Sequence, residues 1–203
     1  MSLDFLTPAP SARTAGHAPI ARSPMERMAR EAGARFEVRD GWNVAAGYKA
    51  VPAHAPVAWV DVSHLRKLEV QGAEVPGEFG RATRDGEGWI CRLTPTRALV
   101  IGADTEDGLD VTCNYAALTI FGSEARETIA RFCALDLRPQ IAPPGSFRPG
   151  SIARQPGMIL VQDPDRFLLL FGWVIGEYMW TVVDDAARSL GGHPVGLGAL
   201  EHA

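Results

Sequence analysis

The strongest constraint on the fold is a short residue pattern that occurs twice in the chain. Each occurrence reads aspartate, valine and a hydroxyl residue, then two apolar residues at alternate positions and a glycine, with one extra residue in the second: Asp61-Val62-Ser63 with Leu68, Val70 and Gly72, then Asp110-Val111-Thr112 with Leu118, Ile120 and Gly122. Alternating apolar residues indicate a half-buried strand, so the pattern predicts a duplicated β-unit. We expect an α+β fold of strand-rich units with outer helices. Chance similarity is the alternative for so short a pattern.

The remaining patterns predict one domain of residues 23–192, with halves at about 23–108 and 109–192. Residues 1–22, rich in alanine and proline, predict a flexible tail, and residues 193–203 predict a second tail. Helices are predicted over 24–32 and 124–133, with Ser23 and Ser123 as caps, and over 174–190. Strands are predicted at 57–62, 65–71, 89–93, 97–101, 110–121, 158–161 and 167–171, and loops at 72–88 and 139–150.

The charge and cysteine content argue against several classes of protein. A net charge of −4 opposes phosphate binding, and no stretch of about 18–20 apolar residues predicts a membrane span. The three cysteines are widely spaced without a paired motif, which argues against disulfides or zinc and fits a reducing cytoplasm. The acidic segment 104–108 lacks the glutamate that ends a calcium loop, because Tyr115 stands at that position. No metal site is therefore predicted.

The first pattern also carries a family resemblance. Residues 60–72, which contain Asp61-Val62-Ser63-His64, resemble the Asp-Leu/Val-Ser-His signature of glycine-cleavage aminomethyltransferases and related demethylating oxidases. Residues 23–42 are similar to the N-terminal segment of that family, and residues 109–139 are similar to the gamma subunits of sarcosine oxidases. The resemblance runs from about Ser23 to Leu190. It implies a tetrahydrofolate-binding fold that passes a one-carbon unit from a methylated amine to folate.

Two departures from the family bear on folate. The family's Gly-Gly-x-x-Asp-Asp segment places an acid near the folate amine, and the matching residues 84–90 offer only Asp85 or Glu87 near that position. The family's Gly-Tyr-Thr-Gly-Glu segment, whose glutamate holds the pterin, has no counterpart in residues 158–171. A pterin-binding carboxylate makes charged hydrogen bonds of about 1.5–3 kcal/mol each. We therefore expect tetrahydrofolate to bind weakly or not at all.

The residues predicted to bind a ligand are Ser63, His64, Asp85, Glu87 and Tyr115. His64 is a candidate for ligand binding or proton transfer, with a strand-end histidine in a turn as the alternative. Asp85 and Glu87 are either a remnant of the family's acid or a solvated pair. Ser63 lacks the Gly-x-Ser-x-Gly elbow of a serine nucleophile, and no catalytic residue is predicted.

We therefore expect a non-catalytic accessory protein of folate-linked one-carbon metabolism, located in the cytoplasm. It would dock on larger oxidase or transferase subunits or associate with itself. The alternatives are a minimal tetrahydrofolate-dependent aminomethyltransferase and a stand-alone binding module of the same fold. Neither nucleic acid nor a membrane is an expected partner.

Overall fold

The computed structural model describes residues 19–49, 55–103 and 108–201, and the strands of these residues form three sheets. The three-stranded sheet has the order β1 (Ala21–Arg22), β3 (Trp42–Tyr48), β2 (Ala34–Arg39). The six-stranded sheet has the order β11 (Phe147–Ile152), β12 (Gln155–Asp163), β13 (Arg166–Gly172), β10 (Tyr115–Phe121), β4 (Ala58–Asp61), β14 (His193–Pro194). The five-stranded sheet has the order β6 (Ala82–Asp85), β7 (Gly88–Thr94), β8 (Arg97–Ile101), β5 (Lys67–Gln71), β9 (Leu109–Asp110).

Among residues 19–49, 55–103 and 108–201, three α-helices accompany the sheets: α1 (Glu26–Glu31), α2 (Ala125–Ala130) and α3 (Gly176–Arg188). Three 3₁₀ segments complete the described elements: Thr112–Asn114, Trp173–Ile175 and Leu197–Glu201. No helix within the described ranges is long and apolar enough to cross a membrane.

Two apolar cores lie on opposite faces of the six-stranded sheet. Along β13, Phe167, Leu169 and Phe171 pack with the helices, whereas Leu168 and Leu170 pack with the five-stranded sheet. Side chains of a strand point alternately to the two faces, so a strand covered on both sides needs a continuous apolar run. This double burial explains why residues 167–171 are all apolar, and it places the helices outside two packed sheets.

The two large sheets exchange strands across the predicted boundary between residues 108 and 109. β4, from the first predicted half, pairs antiparallel with β10 in the six-stranded sheet. β9, from the second half, pairs antiparallel with β5 in the five-stranded sheet. Each half therefore contributes to both sheets, and the two segments of the repeated pattern meet where the exchange occurs.

The helix caps differ from the prediction. α1 begins after Met25, and Glu26 bonds Arg30 rather than reaching back to Ser23. The Ser23 hydroxyl accepts the Met25 N–H at 3.0 Å, which is a turn rather than a capping box. α2 begins after Glu124, and its predicted cap Ser123 donates to the Pro56 carbonyl at 3.3 Å. Both predicted caps are wrong because the hydroxyls find partners outside the helix.

Two strands lie inside segments predicted to be loops. β6 forms a hairpin with β7 inside the predicted loop 72–88, although most of its side chains are exposed. β11 begins within the predicted loop 139–150 and contains Pro149, which lacks the N–H of a strand residue. Neither strand has the apolar alternation on which the prediction relied: β6 is mostly exposed, and β11 buries Phe147 and Ile152 at its ends with exposed or half-exposed residues between them.

The tail predicted from residue 193 is wrong for residues 193–201. His193 and Pro194 pair in parallel with β4, and the Val195 N–H donates to the Trp59 carbonyl at 2.9 Å. Val195 and Leu197 are buried in the core between the sheets. A β-carbon on Gly196 would lie 2.1 Å from the Ala46 carbonyl oxygen, so this glycine permits the close approach. Residues 1–18 of the other predicted tail, and 104–107 of the acidic segment, lie outside the described residues.

The final glycines of the repeated pattern should differ in their tolerance of alanine. Gly122 has φ +113, and an added β-carbon would lie 2.5 Å from the Pro56 carbonyl oxygen, whereas the nearest atom to one on Gly72 lies at 3.6 Å. Backbone strain and overpacking each cost about 1–3 kcal/mol, so Gly122→Ala should lower the free energy of unfolding by roughly 2–4 kcal/mol. Gly72→Ala should change it by less than about 1 kcal/mol. Urea denaturation measures both, and equal effects would contradict the geometry.

Candidate functional site

The two segments of the repeated pattern form turns that bond to each other's following strand. The Ala117 N–H of β10 donates to the Ser63 hydroxyl at 3.1 Å, and the Val62 N–H donates to the Ala117 carbonyl at 2.9 Å. In the other turn, the Lys67 N–H of β5 donates to the Thr112 hydroxyl at 3.0 Å, and the Val111 N–H donates to the Lys67 carbonyl at 2.9 Å. The four bonds are the same arrangement made twice, with the roles of the two segments exchanged.

The aspartate that opens each turn orients the hydroxyl residue two positions later. Asp61 Oδ1 accepts the Ser63 N–H at 2.9 Å, and Asp110 Oδ1 accepts the Thr112 N–H at 2.8 Å. Each carboxylate also accepts from the hydroxyl of the same serine or threonine. This is the local side-chain bonding that favours aspartate in turns. It explains why the sequence pattern requires aspartate and a hydroxyl residue at this spacing.

The environments of the two aspartates nevertheless differ. Burial raises the pKa of Asp61, although Ser23 and Ser63 bond to its carboxylate. The hydrogen bonds from Thr112 lower the pKa of the exposed Asp110, with further help from Arg66 and Lys67. A raised carboxyl pKa reflects the cost of removing a charge from water, and a lowered one reflects partners that favour the charged form.

A buried lysine supports the first turn from behind. Lys67 is fully buried, and its Nζ donates to the Ser63 carbonyl at 2.9 Å and to the Leu65 carbonyl at 2.7 Å. Burial lowers the pKa of Lys67 to about 8, while Asp61, Cys113 and Asp110 oppose the shift. The side chain therefore holds the carbonyls on either side of His64 in place. The alternation of β5 suggested that Lys67 faces solvent. The face of β5 that carries Lys67 instead lies against the core between the sheets.

A cleft of about 740 Å³ opens where the two turns meet the hairpin between β2 and β3. It is lined by residues of that hairpin, of both turns and of the end of β8: Asp40, Trp42, His64, Leu65, Arg66, Gly102, Ala103, Asp110, Thr112, Cys113 and Asn114. The Trp42 ring meets Trp173 edge to face, with centroids 6.0 Å apart. The volume lies in the range of small-molecule sites, roughly 300–1,000 Å³. The cleft is therefore the candidate site.

Of the five predicted site residues, His64 alone lines this cleft. Burial is the main cause that lowers the pKa of His64 to about 4, with Lys67 and Arg39 adding to it, so the imidazole is neutral near pH 7. Ser63 lies directly behind the cleft, where its hydroxyl is held between the Ala117 N–H and Asp61. Tyr115 begins β10 opposite Gly172 and packs at the edge of the core between the sheets.

The two predicted acids are not among the residues that line the cleft. Asp85 ends β6 and Glu87 lies in the turn to β7, and both side chains are exposed at the tip of that hairpin. Gly88 of the same hairpin packs against Ala103 at the edge of the cleft, but the acids that line the cleft are Asp40 and Asp110. Thr112 and Asp110 were visible as the second occurrence of the pattern, but they were not predicted to be site residues. Lys67 and Trp42 lie in segments that carried the family resemblance, but neither was predicted to be a site residue.

Among the described residues, no group of three or more His, Cys, Asp and Glu side chains is arranged to hold a metal ion. No protein-family model matches the sequence, and no curated protein matches it either.

Solved structures show what the chain is similar to. One match is a chain of heterotetrameric sarcosine oxidase from Corynebacterium sp. U-96 in complex with pyrrole 2-carboxylate, with a TM-score of 0.64 and 18% identity over 83% of this chain and 95% of that chain. Another is the glycine cleavage system aminomethyltransferase T from Bartonella henselae, with a TM-score of 0.67 and 14% identity. The chain has the aminomethyltransferase T fold. The match covers 89% of this chain but 60% of the aminomethyltransferase, and it confirms the resemblance at the level of the fold.

Removal of the Ser63 hydroxyl and removal of the Thr112 hydroxyl should destabilise the protein by similar amounts. Ser63→Ala leaves the Ala117 N–H without its acceptor, and Thr112→Val does the same to the Lys67 N–H. An unsatisfied buried donor costs about 1–3 kcal/mol, so both variants should lose stability in that range by urea denaturation. Ser151→Ala, which removes an exposed hydroxyl from β11, is the control and should change stability by less than about 0.5 kcal/mol. Variants as stable as this control would contradict the assigned role.

Lys67 should make stability depend on pH. Its folded pKa of about 8 lies below the unfolded value of 10.5, so between these values the unfolded chain binds more protons and stability rises with pH. The free energy of unfolding of wild type, minus that of Lys67→Met, should rise by on the order of 3 kcal/mol from pH 8 to pH 10.5. Lys49→Met, which removes an exposed lysine in the same way, is the matched control variant. A flat difference for Lys67→Met would show that its burial does not affect its titration.

Proposed function

We propose that this chain is an accessory subunit of a larger complex that links oxidation or transfer of a methylated amine to folate, and that it does not catalyse the reaction by itself. In this role it corresponds to the gamma subunits of sarcosine oxidases that its sequence resembles. Its partners are the larger oxidase or transferase chains, and the complex acts in the cytoplasm. Self-association is the second mode of assembly consistent with the sequence.

The extent of the two structural matches supports this assignment. The match spans 95% of a chain that belongs to a heterotetrameric oxidase, so a chain of this extent works there within a multi-subunit assembly. The same fold spans 60% of the aminomethyltransferase, so two-fifths of that enzyme lies outside the shared part. The proposed two-part organisation of the domain, as duplicated strand units, is supported by the identical bonds of the two turns.

The observation that carries the proposal is the use of the polar groups in and behind the wall of the cleft. The Ser63 and Thr112 hydroxyls bond to backbone N–H groups and to aspartates, and Lys67 donates to two backbone carbonyls. A nucleophilic oxygen must be free to approach the substrate, and each of these oxygens already accepts a backbone N–H and is held by the aspartate of its own turn. Reactive side chains that are committed in this way serve the scaffold rather than a reaction.

The residues present fit folate only in part. The cleft volume and the half-exposed Trp42 suit a flat ring system. The acids expected to bind it, Asp85 and Glu87, lie on the exposed hairpin between β6 and β7 rather than in the cleft. The Asp110 carboxylate lines the cleft but already accepts two hydrogen bonds from Thr112. Weak or absent tetrahydrofolate binding therefore forms part of the proposal.

Thermal unfolding with tetrahydrofolate tests the non-catalytic assignment. A ligand at 100 times its dissociation constant adds about 2.7 kcal/mol of stability, which raises the midpoint of a domain of this size by several degrees, at about 2–4 °C per kcal/mol. We expect millimolar tetrahydrofolate to leave the midpoint nearly unchanged.

A large shift would favour the minimal aminomethyltransferase instead, and Asp85→Ala, Glu87→Ala and Asp110→Asn would then identify its carboxylate. Purification from its native host provides the complementary measurement. A chain that co-elutes with a flavin-containing partner supports the accessory role, whereas a chain that elutes alone and turns over a methylated amine would refute it.

A further inference from the structure

A second surface, away from the residues that line the cleft, combines exposed apolar side chains with arginines. The loop after β5 meets the segment before β11, where the Phe147 N–H donates to the Gly80 carbonyl at 3.0 Å and the Ala82 N–H to the Gly145 carbonyl at 2.7 Å. The Arg148 guanidinium lies between the two segments. Its Nη2 donates to the Ile141 carbonyl at 2.8 Å, and its Nη1 lies 3.3 Å from the position of a β-carbon on Gly80.

The apolar side chains of this surface are unusually accessible. Phe79, next to Gly80, is 66% exposed, and Ile141 is 48% exposed. Single exposed apolar residues are ordinary, but two large ones on adjoining segments leave apolar area in water that a partner can bury. Burial of such area stabilises a complex by about 25 cal/mol per Å².

Within the described part of the chain, the arginines around these residues have no carboxylate partner. Arg81, Arg92 and Arg148 form no ion pair with the residues that the structure describes. Arg92 is held by the carbonyls of Gly77 and Pro95, just as Arg148 is held by Ile141. The loop after β5 carries two acids, Glu74 and Glu78, against the three arginines, so the local balance is positive although the whole protein carries a net charge of −4.

We propose that this surface, formed by Phe79, Ile141, Arg81, Arg92 and Arg148, is the docking site for a partner protein that presents an apolar side chain flanked by carboxylates. The inference rests on the proposed accessory function and assigns it a surface. Charge complementarity selects an acidic partner, and the exposed phenyl and aliphatic groups select a protein rather than a nucleic acid. Arginines already fixed by backbone carbonyls lose little side-chain freedom on binding, which suits them to an interface.

The test is purification of this chain from its native host together with its flavin-containing partner chains, followed by measurement of the dissociation constant of the complex reassembled from the purified chains. Arg148→Glu and Phe79→Ser should each weaken the complex by about tenfold or more, as truncation of interface anchors commonly does. Rising salt should weaken the wild-type complex and have less effect on the complex of Arg148→Glu.

Matched controls lie elsewhere on the surface. Val174→Ser changes an apolar side chain that is 92% exposed, and Arg35→Glu reverses an exposed arginine on β2, so both should stay within about twofold of wild type. Circular dichroism establishes that each variant is folded, and Arg81→Glu replaces Arg148→Glu if the latter is not. Variants that bind as tightly as the controls would refute the docking site and leave the accessory function standing. Failure of the wild-type chain to join any of the flavin-containing chains would refute both.

Discussion

The fold depends on two backbone N–H groups that the sheets do not satisfy. The N–H groups of Lys67 and Ala117 lie at the points where β5 and β10 begin to pair with their neighbours, and each finds a hydroxyl from the opposite turn. An unsatisfied buried N–H costs about as much as a lost hydrogen bond, so these two contacts join the large sheets where their strands are exchanged. The side of the cleft formed by the turns exists because the two turns face each other at this point.

The same constraint bears on the chemistry of the site. Each hydroxyl is used twice, as acceptor from a backbone N–H and as donor to the aspartate of its own turn, and Lys67 is occupied by two carbonyls. A buried ammonium is costly unless it is hydrogen-bonded, so its carbonyl partners cannot be withdrawn for a ligand without loss of stability. The cleft-lining groups outside this network, such as His64, Trp42 and Asp40, remain to contact a molecule in the cleft. This separation of supporting groups from cleft-lining groups agrees with the proposed accessory role.

Much of the fold could be predicted because its signals are local. The repeated pattern marks both turns, and alternating or continuous apolar runs mark β4, β5, β10 and β13. The rest depends on contacts that no local pattern records. β6 and β14 have no apolar pattern of their own and are held by pairing with β7 and β4. Ser23 and Ser123 form hydrogen bonds outside the helices that follow them. The site was predicted less well. Lys67 stands at a polar position of an alternating strand, where residues are usually exposed. Asp85 and Glu87 lie on a hairpin whose orientation cannot be deduced from residue spacing.

The hydrogen bonds of the Ser63 and Thr112 hydroxyls also explain why the contact between the two turns is polar. An apolar pair at positions 63 and 112 would bury area but would accept several registers between the strands, because apolar contacts have no direction. A hydroxyl that must meet one N–H while its aspartate holds the turn permits a single register, and a slip of one residue would turn every side chain of β10 to the wrong core. β10 separates a core of helices from a core of strands, so such an error would expose both. The polar junction thus contributes little net free energy but specifies which strands pair, and that specificity keeps the cleft and the arginine-rich surface in fixed positions.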